Sequence, residues 1–263
     1  MTLIRLSREG IFPITTDAAG NKLTPRTGLS RPGTIQGEGK LCGVPSLFVR
    51  LQGCNLRCRW TTDDGTVSVC DTAHTWAENA GTEMDARDVA RCVGLNIGAM
   101  RHVVITGGEP LLQPEALAEL LTGLHEMGLH TTVETNGMTH AAPPVLPRLT
   151  SLSPKLSRSG ATPEQRRLSA MGAALLVDSA QRRGEDFQLK FVVATAADEA
   201  EIKADYAEVL RMARPSDVIV MPLGATPAVL SKTAPLCLEM ALANGWRFGP
   251  RLHVSLFGNR EGT

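Results

Sequence analysis

Short apolar stretches alternate with amphipathic ones along most of this 263-residue chain. Apolar runs of four to eight residues are typical of buried strands, and apolar positions three and four residues apart are typical of helices. Leucines at 117, 120, 121 and 124 predict a helix over 114–127, and others are predicted at 85–98, 198–212 and 231–244, with one or two more within 156–184. Strands are predicted at 3–6, 46–51, 102–106, 130–134, 149–152, 187–193, 218–221 and 251–256.

This alternation of strands and helices predicts a parallel sheet with helices on its faces. Polar and glycine-rich turns follow several of the strands, at the edge where α/β folds bind their ligands. We therefore expect an α/β fold, specifically an open, partial TIM-like barrel of about six or seven mostly parallel strands. No linker or internal repeat interrupts the pattern, so residues 1–263 are expected to form a single domain.

Composition excludes some classes of protein. The 27 basic and 27 acidic residues balance, so the protein has no net positive charge that would attract nucleic acid. No apolar run approaches the roughly 20 residues of a membrane span, and the N-terminus lacks the apolar stretch of a secretory signal. Six cysteines without such a signal favour a reducing compartment, where clustered cysteines more often bind metal than form disulfides. We expect a cytoplasmic protein that binds neither nucleic acid nor membrane.

Three of the cysteines suggest a metal centre. Cys54 and Cys58 follow the predicted strand at 46–51, and Cys70 stands twelve positions after Cys58. Residues 61–69 resemble a hairpin insertion with a turn at Asp64-Gly65, which would bring Cys70 back. Three thiolates can hold a [4Fe–4S] cluster with one iron open to a ligand, but with His74 they would also form a Cys₃His zinc set. These four residues alone leave both alternatives open.

Motifs elsewhere in the chain favour the iron–sulfur cluster over zinc, because they resemble those of a known family. The chain resembles the radical S-adenosylmethionine (SAM) enzymes and, within them, the family of 7-carboxy-7-deazaguanine synthases. The resemblance covers most of the chain, and its motifs stand in the family's order. They are Gln36–Gly39, Phe48–Cys58, Cys70-Asp71-Thr72, Gly107–Pro110, Glu134–Gly137, Ser153–Lys155, Gln188–Phe191, Arg251–His253 and the C-terminal segment 258–263. The family's usual step of three residues between second and third cysteine is twelve here.

The resemblance implies three cofactors. Cys54, Cys58 and Cys70 would hold the [4Fe–4S] cluster, and SAM would bind the open iron. Thr72 would be the single protein ligand of Mg²⁺, which usually keeps waters and substrate oxygens. The residues implied for SAM binding are Gly107, Gly108, Glu109, Glu134, Asn136, Ser153, Pro154, Lys155, Gln188 and Lys190.

The implied substrate is 6-carboxy-5,6,7,8-tetrahydropterin, which a 5′-deoxyadenosyl radical would convert to 7-carboxy-7-deazaguanine with loss of ammonia. Glu38 and Arg50 are the implied catalytic residues. A carboxylate can pair with an amino-pyrimidinone edge, and an arginine suits the substrate carboxylate. The implied substrate-binding residues are Ile35, Gln36, Gly37, Glu38, Arg50, Thr106, His253 and Thr263.

Two other functions stay open on the residues alone. One is a glycyl-radical activase of the same superfamily, which would need a groove for a protein partner. The other is a non-enzymatic, zinc-stabilised α/β binding protein. For the synthase, the resemblance further implies a flavodoxin- or ferredoxin-like electron donor and a homodimer.

Overall fold

The structure, a computed structural model, describes residues 2–61, 65, 67–258 and 260–263. Ten of its strands form one sheet, and β4 and β5 form a separate hairpin. The strands are β1 (Leu3–Phe12), β2 (Thr34–Ile35), β3 (Pro45–Leu51), β4 (Arg59–Thr61), β5 (Val67–Val69), β6 (Thr82–Asp85), β7 (His102–Gly107), β8 (His130–Thr135), β9 (Leu149–Leu152), β10 (Asp186–Val193), β11 (Val218–Pro222) and β12 (Arg247–Phe248).

Seven α-helices accompany the strands in the described part of the chain. None of them combines the length and the apolar character needed to cross a membrane. The helices are α1 (Ala86–Asn96), α2 (Pro114–Glu126), α3 (Pro163–Arg183), α4 (Ala197–Asp205), α5 (Ala207–Met212), α6 (Pro227–Asn244) and α7 (Leu252–Phe257).

The main sheet is mostly parallel and open. Its strand order is β12-β11-β10-β9-β8-β7-β3-β1-β6, with β2 beside β3. From β3 to β12 all neighbours are parallel, which makes seven parallel strands, the last of only two residues. The strands β1, β2 and β6 are antiparallel additions. The predicted partial barrel is therefore confirmed.

Two buried apolar clusters cover the sheet. One cluster packs the helices α1 and α2 against the strands around β3 and β7. The other packs the four helices from α3 through α6 against the strands around β10. The helix starts follow local chemistry: Thr162 and Gln165 form a capping box at α3. Thr226 caps α6 and Pro227 occupies its first turn, so that helix begins four residues before the predicted 231.

The strand predicted at 251–256 is wrong. Gly249 and Pro250 follow the short strand β12, and proline cannot donate to a strand ladder. The chain then forms the helix α7, whose only buried residue is Val254. The amide of Leu252 donates to Gly37 O at 2.9 Å, so the start of this helix is attached to the Gln36–Gly39 turn.

The helix predicted at 198–212 is interrupted at Tyr206, whose φ and ψ are −111° and 20°. This tyrosine is fully buried and packs edge-on against Phe191 at 5.1 Å between ring centres. Its hydroxyl donates to Lys155 O at 3.3 Å. The helix is therefore interrupted where the tyrosine ring is buried. The hydroxyl of this tyrosine connects α4 and α5 to the turn after β9.

His102 gives the fold a predictable pH dependence. It is 2% exposed, and its ring nitrogens lie 2.7 Å from Ser46 Oγ and 2.8 Å from Thr132 Oγ1. Burial, with a smaller contribution from His130, lowers the pKa of His102 to about 4. The unfolded chain binds this proton near pH 6.5, so the free energy of unfolding should fall between pH 6.5 and 4, by up to about 3 kcal/mol.

Urea denaturation across this pH range measures the effect. We expect His102→Gln to reduce the dependence of the free energy of unfolding on pH, because the unfolded chain then has no imidazole to protonate at this position. His140→Gln, at an exposed histidine, should keep the wild-type slope. Equal slopes for wild type and His102→Gln would contradict the prediction.

Candidate active site

A cavity of about 360 Å³ opens at the carboxyl ends of the parallel strands. It is lined by the segments that follow β3, β7, β8, β9 and β11, together with parts of the turn after β2 and of the C-terminal segment. This edge is where α/β folds gather their functional side chains. The three predicted metal-binding cysteines all line the cavity.

The hairpin brings the third cysteine back to the second. Arg59 pairs with Val69 across β4 and β5, and the amide of Cys70 donates to Cys58 O at 3.1 Å. The predicted return of the chain is thereby confirmed. Of the predicted turn, Gly65 is described and Asp64 lies outside the described residues.

The cysteines lie in an apolar environment. Cys54 and Cys58 are 8% and 6% exposed, and they pack with Leu56, Trp60 and Leu223. Burial raises the pKa of all three thiols, that of Cys54 to about 11. A bound metal centre would hold them as thiolates, because metal ligation requires the deprotonated form.

The spacing of the three thiols differs from that of a single zinc site. Bonds of about 2.3 Å at tetrahedral angles place zinc-bound sulfurs within roughly 4 Å of one another. Among the described residues, only Glu9, His74 and Glu261 bring three possible ligand atoms within 4.8 Å, so the three thiols are spaced more widely. His74 Nε2 lies 2.7 Å from Glu9 Oε2 instead. His74 is thus paired with a carboxylate rather than with the cysteines, and the spacing of the three thiols favours a cluster of several metals over the Cys₃His zinc set.

The glycine turn after β7 packs directly on the cysteine loop. Gly108 N donates to Leu51 O at 3.1 Å and Glu109 N donates to Gly53 O at 2.8 Å. A Cβ on Gly108 would lie 1.8 Å from Gly53 O, so no other residue fits this backbone. The contact fixes the two loops relative to each other.

Glu109 is buried behind the residues that line the cavity and is not one of them. Its carboxylate accepts from Thr135 Oγ1 and from the amide of Asn136, both at 2.7 Å, and from the amide of Leu111 at 3.0 Å. Burial raises the pKa of Glu109, and these hydrogen bonds oppose the rise. In this structure the side chain orders the loop after β8, and direct contact with SAM stays a prediction.

The other residues predicted for SAM binding divide into two groups. Gln188 accepts from Lys40 N at 2.7 Å and donates to Ser151 Oγ at 2.7 Å, and neither it nor Pro154 lines the cavity. The remaining residues do line it, and their role in SAM binding stays a prediction. They are Gly107, Gly108, Glu134, Asn136, Ser153, Lys155 and Lys190.

Glu38 is the centre of a group of buried charges. Lys190 Nζ donates to its Oε2 at 2.5 Å, and Arg251 Nε donates to its Oε1 at 3.0 Å. Burial alone would raise the pKa of Glu38, but these two cations hold it well below its usual range. The carboxylate therefore stays ionised at neutral pH.

Neighbouring polar groups complete this wall of the cavity. Glu134 accepts from Gln36 Nε2 at 3.3 Å and from Thr106 Oγ1 at 2.9 Å, and it lies 3.4 Å from Lys190 Nζ. His253 Nε2 lies 4.0 Å from Glu38 Oε1. Burial lowers the pKa of His253, so a neutral ring faces the cavity at neutral pH.

Arg50 is paired inside the protein. Its Nε lies 3.0 Å from Glu9 Oε2 without the alignment of a hydrogen bond, and its guanidinium lies 4.9 Å from the centre of the Phe12 ring. Both Arg50 and Glu9 line the cavity. Part of the guanidinium therefore remains available for an anion.

The predicted Mg²⁺ ligand and the C-terminus also lie at the cavity. Thr72 Oγ1 lies 3.3 Å from Cys70 Sγ and donates to Gly107 O at 3.3 Å. Ile35, Gly37 and Thr263, which the resemblance implies as substrate-binding residues, line the cavity. Their roles as ligands of metal or substrate stay predictions.

Sequence reasoning missed three charged residues of this site. Glu9 lies in β1, which continues six residues beyond the predicted end at Leu6. Asp71 and Arg251 were part of recognised motifs, but nothing in their spacing indicated that Arg251 Nη2 would donate to Asp71 Oδ2 at 2.7 Å. Only the three-dimensional approach of α7 to the cysteine loop reveals this pair.

Comparison with known proteins agrees with this geometry. The model of the Radical SAM superfamily matches residues 48–156. The chain is 39% identical to a 7-carboxy-7-deazaguanine synthase of Halobacterium salinarum over 249 residues, 88% of this chain and 90% of the relative. It is 35% identical to that of Rhodopirellula baltica, over 87% of this chain and 85% of the relative.

The fold has a solved counterpart. The crystal structure of QueE from Escherichia coli superimposes with a TM-score of 0.59 at 24% identity, covering 92% of this chain and 95% of that one. The similarity supports the open barrel described above. The identities to the two curated relatives lead to one conclusion: the chain belongs to the 7-carboxy-7-deazaguanine synthase family of the radical SAM superfamily.

Proposed function

We propose that the protein is a lyase of the radical SAM type that converts 6-carboxy-5,6,7,8-tetrahydropterin to 7-carboxy-7-deazaguanine with loss of ammonia. The product belongs to 7-deazapurine biosynthesis of the queuosine type. One observation carries the proposal: the buried thiols of Cys54 and Cys58, the half-buried thiol of Cys70 and the Glu38 charge group line the same cavity. Its volume of about 360 Å³ is within the range of small-molecule sites.

The residues present fit the implied cofactors. Cys54, Cys58 and Cys70 would hold a [4Fe–4S] cluster, the turn at Gly107-Gly108 would contact SAM, and Thr72 would bind Mg²⁺. When bound, the cluster and SAM would supply the radical that takes a hydrogen atom from C6 of the substrate. The apolar groups around the cysteines exclude water from this chemistry.

The substrate would be held at its two polar ends. Glu38 is ionised, and a carboxylate has lone pairs left after Lys190 and Arg251 have each donated once, so it can accept from the amino-pyrimidinone edge. Arg50 would pair with the substrate carboxylate, with Glu9 holding its guanidinium in place. A substrate held at both ends would have its C6 oriented toward the cofactors. Such fixed orientation lowers the entropic cost of reaching the transition state.

A glycyl-radical activase is less well supported. Its partner would be a protein chain, whereas the polar groups here converge within one cavity of small-molecule size. On the family's behaviour we also propose a cytoplasmic homodimer that receives electrons from a flavodoxin- or ferredoxin-like protein. Mixing experiments with each donor and measurement of the molecular mass in solution test these two points.

Anaerobic reconstitution tests the proposed reaction. The protein with iron, sulfide, SAM, Mg²⁺ and a chemical reductant should convert the carboxypterin to a product with the mass of 7-carboxy-7-deazaguanine, detected by liquid chromatography and mass spectrometry. Omission of SAM should abolish the product. Cleavage of SAM without any deazaguanine would contradict the substrate assignment and favour the activase.

A further inference from the structure

Arg251 connects three separate parts of the cavity. It immediately precedes α7, and its side chain is 12% exposed. Its Nε donates to Glu38 Oε1 at 3.0 Å, its Nη2 donates to Asp71 Oδ2 at 2.7 Å, and its Nη1 donates to Gly224 O. One guanidinium thus joins the turn after β2, the cysteine loop and the loop after β11.

The partners of Arg251 have different predicted tasks. Asp71 lies between Cys70, a proposed cluster ligand, and Thr72, the proposed Mg²⁺ ligand. Glu38 is the proposed substrate carboxylate. Apart from a 3.8 Å contact with Cys70 Sγ, the hydrogen bond from Arg251 is the one described for the Asp71 side chain within the residues that the structure covers. The orientation of Asp71 therefore depends on Arg251.

Arg251 also offsets the repulsion between two carboxylates. Glu38 and Asp71 repel each other, and Arg251 lies between them. The planar fork of arginine can donate in three directions at once, which the point charge of lysine cannot do with the same geometry.

We propose that Arg251 is a positioning residue that sets the cysteine loop, through Asp71, in register with the substrate turn, through Glu38. This inference rests on the proposed function for the tasks of the two segments. Each nitrogen of its guanidinium donates to a protein acceptor. Its contribution is to fix the distance between the groups proposed to hold the substrate and the cofactors.

Hydrogen exchange of backbone amides tests the contact without any turnover. In the wild type, the amides of Cys70, Ala73 and Thr75 donate to Cys58 O, Cys70 O and Thr72 O. In anaerobically purified full-length protein, Arg251→Gln and Asp71→Asn should each make residues 70–75 exchange about 10-fold faster, because a charge-assisted hydrogen bond holding the loop is lost. The double variant should exchange no faster than either single variant, since both remove the same contact.

Two further variants sharpen the result. Arg251→Lys keeps the charge but not the fork, and we expect exchange between that of the wild type and that of Arg251→Gln. Arg87→Gln removes an arginine from an exposed pair with Glu119 on the far helices and should leave residues 70–75 unchanged. Wild-type protection in Arg251→Gln, or in Arg251→Lys, would overturn the inference.

The loaded enzyme provides a second measurement. With the segments out of register, Arg251→Gln should consume about 10-fold more SAM per product molecule than the wild type, because a misplaced substrate lets the radical be lost. A wild-type ratio would overturn the positioning role. If the wild type makes no deazaguanine at all, the proposed function fails, while the exchange experiment still decides whether Arg251 orders the loop.

Discussion

Cys70→Ala is expected to abolish the iron–sulfur cluster and with it the reaction, with activity falling at least about 1000-fold. The two remaining thiols, Cys54 and Cys58, leave a second corner of the cluster without a protein ligand. Iron and sulfide analysis after anaerobic reconstitution should fall from about four of each per chain to well below one. The brown absorbance of the protein should disappear in parallel.

Cys92→Ala is the matched control. Cys92 is buried in α1, away from the cavity, and belongs to the apolar cluster of that half of the sheet. Its loss should cost about 1 kcal/mol of stability and leave the iron content unchanged. A Cys70→Ala protein with a full complement of iron would show that Cys70 is not a ligand, and one zinc per chain without iron in the wild type would refute the cluster altogether.

Glu38→Gln is expected to lower the free energy of unfolding by about 3 kcal/mol, since it leaves Lys190 and Arg251 without their shared counter-ion. The loss is limited because Glu134 lies 3.4 Å from Lys190 and Asp71 still pairs with Arg251. The same change should reduce kcat/KM for the carboxypterin by about 10- to 100-fold, the value of one or two charge-assisted hydrogen bonds. Urea denaturation and steady-state kinetics measure the two effects separately.

Glu83→Gln provides the comparison for this prediction. Glu83 pairs with Arg5 at 2.7 Å, but both side chains are substantially exposed, at 49% and 38%. Exposed pairs contribute at most about 1 kcal/mol, so this variant should unfold nearly as the wild type does and keep full activity. Equal stability of the Glu38→Gln and Glu83→Gln proteins would show that the buried charges do not depend on Glu38.

The parts of the site that are local in sequence could be predicted, and those that depend on long-range approach could not. The strand that leads to Cys54 and the hairpin that returns Cys70 are encoded by neighbouring residues. The last segment shows the limit: 251–256 has the apolar content of a strand, but Gly249 and Pro250 end β12 before it and a helix forms instead.

Charges that are buried in pairs show the same limit. The resemblance implied the substrate carboxylate as the partner of Arg50 in the strand β3, yet its protein partner Glu9 lies 41 positions away in an antiparallel neighbour. Lys190 and Glu38 are 152 positions apart. Sequence separation carries no signal for such pairs, because they form only when the sheet has brought their strands together.

The hydrogen bond between Cys70 and Cys58 at the base of the hairpin has a consequence for recognising distant relatives. Because Arg59 and Val69 pair next to the two cysteines, residues in the hairpin between Arg59 and Val69 can be added or removed without moving the third ligand, Cys70. The number of residues between the second and third cysteine is therefore free to vary, and a search pattern that demands a fixed count would pass over this chain. The more general criterion is a return of the backbone, with two antiparallel segments joining the ligands.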